Sequence, residues 1–292
     1  MLYNFLKLKK RNGVMGLNQR NIELIYPHNQ RKNYQYADDK VKAKHILHSN
    51  DIATAKTYAV IERISDVKKK WLSCKDYESM AVKPANGSGG GGILILRKDE
   101  KGQWKNGGKA ISESKILHHI TSIVSGFYSM NSQDSCLIEE CIVPHPFFAE
   151  IYGDGVPDFR IITLKAQPII GMLRMPTSKS NGKANLHQKG VGIGVDLYKG
   201  VLTQTYDGKN YLDCHPDNPE PINGKPIPYW KELYQLAIDT AKVFPLDYLG
   251  IDLVIDAIKG PQIMEVNVRP GLGIQLVNKL GMAEAIRRHY NA

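Results

Sequence analysis

Cysteine is scarce in this sequence, and its spacing is unsuited to a structural role. The 292 residues contain four cysteines, and no two of them form a Cys-x-x-Cys pair. This spacing argues against a structural zinc site, and so few cysteines in a chain of this length argue against a disulfide framework. We therefore expect free thiols in a reducing environment and a cytoplasmic protein.

Recognised features of membrane insertion and of nucleic-acid binding are also missing. The first ten residues run from apolar to basic, which is the reverse of a signal peptide, and they are too short to cross a bilayer. The net charge of +10 favours polyanionic partners. No basic stripe interleaved with aromatic residues accompanies it, so we expect no specific nucleic acid. The basic start of the chain, from Lys7 to Arg11, fits at most a weak contact with a membrane surface.

The elements that can be predicted from residue patterns are mixed, with no regular βαβ alternation, which indicates an α+β fold. Residues 1–37 have weak periodicity and are interpreted as an extension that packs on the body. The predicted helices span 38–49, 65–74, 112–125 and 229–243, with more after 273. The predicted strands span 58–61, 136–142, 158–164, 167–173, 192–197, 201–205, 249–256 and 261–267. One further strand begins at Ser79 before the glycine loop, and another follows the loop.

A glycine-rich loop joins two of these strands. Gly87, Gly89 and Gly92 match G-x-G-x-x-G, but a dinucleotide site needs a helix after the glycines, and here an apolar strand pattern follows. No Gly-Lys-Ser/Thr follows either, which excludes a Walker A loop. Glycines let backbone N–H groups converge on an anion, and Lys83 lies just upstream. The loop is interpreted as a phosphate site, with a plain hairpin loop as the alternative.

A second constellation lies in the last predicted hairpin. Its two strands carry Asp252 on one side and Glu265 and Asn267 on the other, and side-chain alternation puts Glu265 and Asn267 on one face. Three oxygen donors without His or Cys suit Mg²⁺. A polar outer face of an amphipathic hairpin explains the same residues equally well.

Taken together, these residues make the chain resemble an ATP-grasp ligase over about residues 38–290. It is similar to the ribosomal-protein glutamate ligase and glutathione synthetase branch, and most of all to the alpha-L-glutamate ligase-like group. The matching motifs are, in chain order, Asp39-Lys40, Ala81-Val82-Lys83-Pro84, Leu137–Ile142, Asp158-Phe159-Arg160, Asn185–Gly190, and Glu265–Gly271 with Asp252 upstream.

The resemblance implies a fold of two α+β subdomains that grip ATP between them, with a shortened N-terminal region. It implies an ATP-grasp domain over 38–292, with a lid subdomain at about 52–138 and a C-terminal subdomain at about 139–292. The implied nucleotide ligands are Lys40, Lys83, Gly89, Gly90, Gly91, Glu140, Cys141, Ile142, Asp158, Lys183 and Asn185. The implied metal ligands are Asp252, Glu265 and Asn267, for two Mg²⁺ ions that Mn²⁺ can replace.

The same resemblance implies a reaction. A carboxylate is activated by ATP as an acyl phosphate and then joined to an amine, and the substrates are small molecules or peptides, glutamate among them. Arg160, Arg174 and Arg269 are the expected catalytic residues, because guanidinium groups stabilise phosphate and oxyanion charge. His187 is weighed as a phosphate contact, and His118 and His119 as surface or packing residues. The alternatives are an ATP-grasp kinase and a non-catalytic module that binds nucleotides or polyanions.

Overall fold

The computed structural model describes residues 13–87 and 90–290, and it divides the chain into two compact units. The small unit contains Asp39–His45 and Ala55–Ile142. The large unit contains the described chain up to Asp38, Ile46–Thr54, and the chain from Val143 onward. Each unit combines an antiparallel sheet with helices, which confirms the predicted α+β class.

The small unit is built on a six-stranded sheet in the order β1-β6-β2-β3-β4-β5. A stripe of isoleucines on the helix Glu113–Val124 and the fully buried Trp71 of the helix Val67–Cys74 fill its core. Ser112 caps the first of these helices by accepting a hydrogen bond from the Lys115 N–H. The strands are β1 (Thr57–Ile61), β2 (Ser79–Pro84), β3 (Leu94–Lys98), β4 (Trp104–Asn106), β5 (Lys109–Ala110) and β6 (Cys136–Glu139).

The large unit is built on a seven-stranded sheet in the order β11-β10-β9-β8-β7-β14-β15, and a two-stranded sheet pairs β12 with β13. Its strands are β7 (Asp158–Leu164), β8 (Gln167–Met175), β9 (Val191–Asp196), β10 (Val201–Tyr206), β11 (Tyr211–Leu212), β12 (Cys214–His215), β13 (Asn218–Pro221), β14 (Tyr248–Asp256) and β15 (Gly260–Asn267). Its longer helices are Trp230–Val243 and Met282–Tyr290, with shorter ones at Pro146–Ala149 and Gly273–Val277. The helix Lys40–Ser49 begins in the small unit and ends in the large one.

The segment before the small unit is helical and belongs to the core of the large unit. It contains the helical turns Leu17–Arg20, Asn21–Ile25, Tyr26–His28, Arg31–Asn33 and Gln35–Asp38, of which Asn21–Ile25 is a π-helix. Met15, Leu24 and Ile25 are buried in the main apolar cluster of that unit. A π-helix has a wider turn than an α-helix and breaks the 3.6-residue period, which accounts for the weak periodicity of this segment.

Three buried polar side chains fix this segment. The Arg20 guanidinium donates to the Pro270 carbonyl at 2.8 Å. The Asn29 amide donates to the Tyr248 carbonyl at 2.7 Å and accepts from the Tyr248 N–H at 3.0 Å. The Gln275 amide makes the same pair of bonds with the backbone of Met15.

Strand β6 ends at Glu139 rather than at 142, and a bulge in β1 between Thr57 and Ala59 disturbs the pairing at that point.

Within the described residues, no helix combines the length and apolar character needed to cross a membrane. The basic residues Lys7 to Arg11 lie outside the described residues.

Candidate functional site

The predicted metal residues and Arg160 lie on one face of the sheet of the large unit. In the register of β7, β14 and β15, Asp252 lies opposite both Arg160 and Glu265. Directly opposed residues of neighbouring antiparallel strands project from the same face. Asn267 lies two residues from Glu265 on β15 and shares that face. The hairpin prediction for β14 and β15 is therefore confirmed, and it brings these four side chains together.

Asp252 is fully buried and receives hydrogen bonds from several donors. Arg160 makes a bidentate contact, with its Nε 2.7 Å from Oδ1 and its Nη2 2.6 Å from Oδ2. Arg174 from β8 places Nη2 2.8 Å from Oδ2, and the Asn267 amide lies 3.3 Å from the same oxygen. Arg174 also donates through Nε to Asp158, at 2.6 Å.

Burial and ion pairing act against each other in this cluster. Burial raises the pKa of Asp252, but the guanidinium groups of Arg160 and Arg174 outweigh burial and hold that pKa at about 2. Burial dominates at Asp158 and raises its pKa to about 6, although Arg174 opposes the rise. Burial lowers the pKa of Arg174, but Asp158 and Asp252 outweigh burial and shift it upward. Asp252 is therefore ionised at neutral pH and is compensated by two cations.

The donor set of this face suits a hard divalent cation. Glu265 and Asn267 are half-buried, Asp252 is buried, and all three offer oxygen. Since the Asn267 nitrogen faces Asp252, its Oδ1 is the atom that could bind a metal. No group of three or more His, Cys, Asp and Glu suited to a metal occurs in residues 13–87 and 90–290.

Arg269 lies at the end of the same motif but makes different contacts. Its Nη2 is 2.6 Å from the Asp38 carboxylate, and its guanidinium lies over the Tyr34 ring at 5.4 Å. About half of its side chain is exposed. The partners Asp38 and Tyr34 belong to the N-terminal segment, a role that the sequence did not reveal.

The loop between β8 and β9 holds two more of the predicted residues. Lys183 is exposed, and Asn185 caps the short 3₁₀-helix Leu186–Gln188 by accepting from the His187 N–H. The base of the loop is held by the buried His215, whose Nε2 lies 2.9 Å from the Pro176 carbonyl. His215 Nδ1 accepts from the Asp217 N–H at 3.1 Å, so the proton belongs on Nε2.

The small unit holds a second charged cluster around Glu139, which sequence reasoning missed. Glu139 is buried on β6, and Lys83 of the neighbouring strand β2 donates to its Oε1. Lys44, also buried, places its Nζ 2.9 Å from Glu139 Oε2 and 2.5 Å from the Ala55 carbonyl. Burial raises the pKa of Glu139, but the two lysines outweigh burial and lower it.

The glycine loop is anchored on both sides. Lys40 donates to the Gly87 carbonyl at 2.9 Å, and Asn86 donates to Asp134 at 2.8 Å. After the loop, the His119 ring lies 2.8 Å from the Gly92 carbonyl, which ties the helix Glu113–Val124 to the end of the loop. Strand β3 follows the glycines instead of a helix, as predicted.

Only part of the glycine loop belongs to the residues that the structure describes. Gly90 and Gly91 are exposed, and Gly90 has a φ of +71°, a backbone conformation that glycine adopts without strain. Gly89 lies outside the described residues.

The predicted adenine-reading segment follows β6. The Glu140 N–H donates to the Lys56 carbonyl at 2.9 Å, which continues the edge of the sheet for one residue. Cys141 is buried and Ile142 is half-buried. Burial raises the pKa of the Cys141 thiol, so this cysteine is a packing group and its side chain is not an activated nucleophile.

Comparisons with known proteins agree with this architecture. A model of the sugar-transfer associated ATP-grasp family matches residues 19–290. A search of curated proteins found no sequence match. Among solved structures, biotin carboxylase from Campylobacter jejuni is 12% identical with a TM-score of 0.53, over 87% of this chain and 46% of that one. Phosphoribosylamine–glycine ligase from Thermotoga maritima is 15% identical with a TM-score of 0.52, over 90% and 56%.

These structures share the fold with this chain. At such low identity they carry no information on its substrates. The chain spans about half the length of these two proteins.

Proposed function

This chain belongs to the sugar-transfer associated ATP-grasp family, and from that premise we propose that it is an ATP-dependent carboxylate–amine ligase. One observation carries the proposal. Asp252, Glu265 and Asn267 form an oxygen donor set on one sheet face, beside two arginines that hold Asp252. Such a face can bind a metal–phosphate group and an anionic reaction centre side by side.

The ATP-grasp family uses ATP and Mg²⁺. Asp252, Glu265 and Asn267 would hold Mg²⁺, which when bound neutralises charge on the phosphate oxygens. Asp252 accepts from Arg160 and Arg174 mainly through Oδ2, and its Oδ1, which accepts from Arg160 Nε, retains a second lone pair that a metal could use.

We assign nucleotide binding mainly to the small unit. Lys40 and Lys83 would contact the phosphates, together with Gly89, Gly90 and Gly91. Glu140, Cys141 and Ile142 would present backbone groups to adenine. From the large unit, Asp158, Lys183 and Asn185 would complete the contacts. Cationic side chains and glycine N–H groups are the usual phosphate ligands of proteins.

The chemistry then follows in two steps. A substrate carboxylate oxygen attacks the γ-phosphorus of ATP, the bond from this phosphorus to the β,γ-bridging oxygen breaks, and ADP leaves as an acyl phosphate forms. The amine then attacks the carbonyl carbon, phosphate leaves, the nitrogen loses a proton, and an amide forms. Arg160, Arg174 and Arg269 would stabilise the charge of both transition states. We propose amino acids or peptides as substrates, with glutamate as the first candidate.

The test is a panel assay. The protein is incubated with Mg-ATP and pairs of amino acids and peptides, and ADP release and products are measured. We expect ADP and phosphate to form together with an amide, only when acid and amine are both present. A stable phosphoester would show a kinase instead. Salt-dependent polyanion binding without ATP turnover would show a non-catalytic module.

A further inference from the structure

Glu139 of the small unit has two cationic partners, although one cation would neutralise its charge. The residue is 3% exposed, and its carboxylate lies between Lys83 on one oxygen and Lys44 on the other. Lys44 comes from the helix Lys40–Ser49, whereas Lys83 comes from the sheet. The two lysines therefore reach the same buried carboxylate from different elements.

The proposed role of Lys83 creates a difficulty that a single ion pair could not solve. To contact a nucleotide phosphate, the Lys83 ammonium must give up much of its contact with Glu139. A buried carboxylate left without a cation is strongly destabilising. With Lys83 as its only partner, Glu139 would retain that lysine and oppose nucleotide binding.

We propose that Lys44 is a positioning residue that keeps Glu139 compensated, so that Lys83 can move from this carboxylate to a nucleotide phosphate. The proposal rests on the proposed function, specifically on ATP binding through Lys83. Lys44 acts through Glu139 and does not itself contact the nucleotide.

The contacts of Lys44 support this division of roles. Its Nζ points inward, 2.9 Å from Glu139 Oε2 and 2.5 Å from the Ala55 carbonyl, and the residue is 8% exposed. Lys40, one turn earlier on the same helix, is half-buried and contacts the glycine loop instead. Burial lowers the pKa of Lys44, while Glu139 opposes this, as expected for a cation held in place by one carboxylate.

The experiment measures the Kd of the Mg complex of AMPPNP by titration calorimetry for the full chain and its variants. Lys44→Met is expected to weaken binding by about tenfold or more, which corresponds to about 1.4 kcal/mol. Lys42→Met, which removes an exposed lysine two residues away on the same helix, is the matched control and should bind like the wild type. The double variant Lys44→Met/Glu139→Gln should recover binding to within about threefold of the wild type, because Lys83 no longer has a carboxylate that retains it.

Other results would overturn the proposal. If the double variant binds as weakly as Lys44→Met, Lys44 acts on the nucleotide directly. If Lys44→Met lowers the melting temperature but leaves Kd unchanged, its role is structural only. The variant Lys83→Met tests the proposed nucleotide site separately from the proposed role of Lys44. Weak binding in Lys83→Met with normal binding in Lys44→Met rejects this inference alone, whereas normal binding in Lys83→Met rejects the proposed nucleotide site as well.

A second measurement covers the case in which Lys44→Met does not fold. Lys44 faces Glu139, Lys83 and Glu140, and burial lowers the pKa of Lys44. The Lys44 ammonium therefore loses its proton as the pH rises toward that lowered pKa. Nucleotide affinity of the wild type should therefore fall at alkaline pH, and Lys44→Arg should retain affinity there. Superimposable pH profiles of the two proteins would contradict the proposal.

Discussion

The two units each contain a buried carboxylate between two cations, but the cations differ in kind. In the large unit, Asp252 accepts from Arg160 and Arg174, one of them bidentate. In the small unit, Glu139 lies between Lys44 and Lys83. Arginine holds a carboxylate in a fixed planar geometry, whereas lysine is a flexible point charge that changes partners easily.

The clusters also differ in how their charges are shared. In the large unit, the Arg174 guanidinium contacts two carboxylates, Asp158 and Asp252. In the small unit, two lysines contact one carboxylate, Glu139. One lysine can therefore leave Glu139 without leaving that carboxylate uncompensated, whereas the loss of Arg174 affects two buried carboxylates at once.

The largest expected effect distinguishes Glu265 from Asp252, the two carboxylates of the proposed metal site. Glu265→Gln should reduce turnover on the order of 10³-fold, because a bound metal supplies several kcal/mol of charge stabilisation, while the melting temperature stays near that of the wild type. Asp252→Asn should lose turnover and also stability, since two arginines lose their carboxylate. ADP release and thermal melts measure both, with the exposed Glu232→Gln as the control. Retained turnover in Glu265→Gln would reject the metal assignment.

The next prediction compares the cations of the two clusters. Arg174→Met should destabilise the protein by about 3–5 kcal/mol, because Asp158 and Asp252 lose a buried partner. Lys44→Met should cost less, since Lys83 still compensates Glu139. Urea unfolding measures both, and Arg287→Met, at an exposed ion pair, should have little effect. Equal losses for Arg174→Met and Lys44→Met would remove the proposed distinction between the clusters.

A smaller effect is expected where the N-terminal segment meets the large unit. Arg20→Met leaves the Pro270 carbonyl without this buried donor, at a cost of about 1–3 kcal/mol. The exposed Arg31→Met is the control. Chemical denaturation should show the loss for Arg20→Met alone, and a stability equal to that of Arg31→Met would show that the contact contributes little.

The smallest effect concerns pH. Burial lowers the pKa of His215 below its usual 6.5, so this histidine is neutral in the folded protein. Its stability contribution is complete above about pH 6.5 and is lost as the pH falls through the lowered value, by at most about 1.4 kcal/mol per pH unit. The melting temperature of the wild type should fall more between pH 7.5 and 5.5 than that of His215→Gln. The exposed His187→Gln should behave like the wild type.

Residue patterns could predict the longer strands and helices that follow Asp39, because their periodicity and turn residues are local signals. The pairing of β14 with β15 followed from a hairpin pattern, and with it the shared face of Glu265 and Asn267. The ion pair of Lys44 with Glu139 joins residues far apart in sequence, and only the folded chain brings them together. The short strands β12 and β13 were also missed, since Pro and Asn made their segment resemble a connection.

The π-helical segment before Asp39 has a practical consequence. A shortened chain beginning at Asp39 would retain every motif that marks the family. It would nevertheless lose Met15, Leu24 and Ile25 from the apolar cluster, and it would uncover the backbone of Tyr248 that Asn29 now satisfies. Unpaired backbone groups and exposed apolar surface promote aggregation. Motif boundaries are therefore a poor guide to expressing this protein, and the first helical turns should be kept.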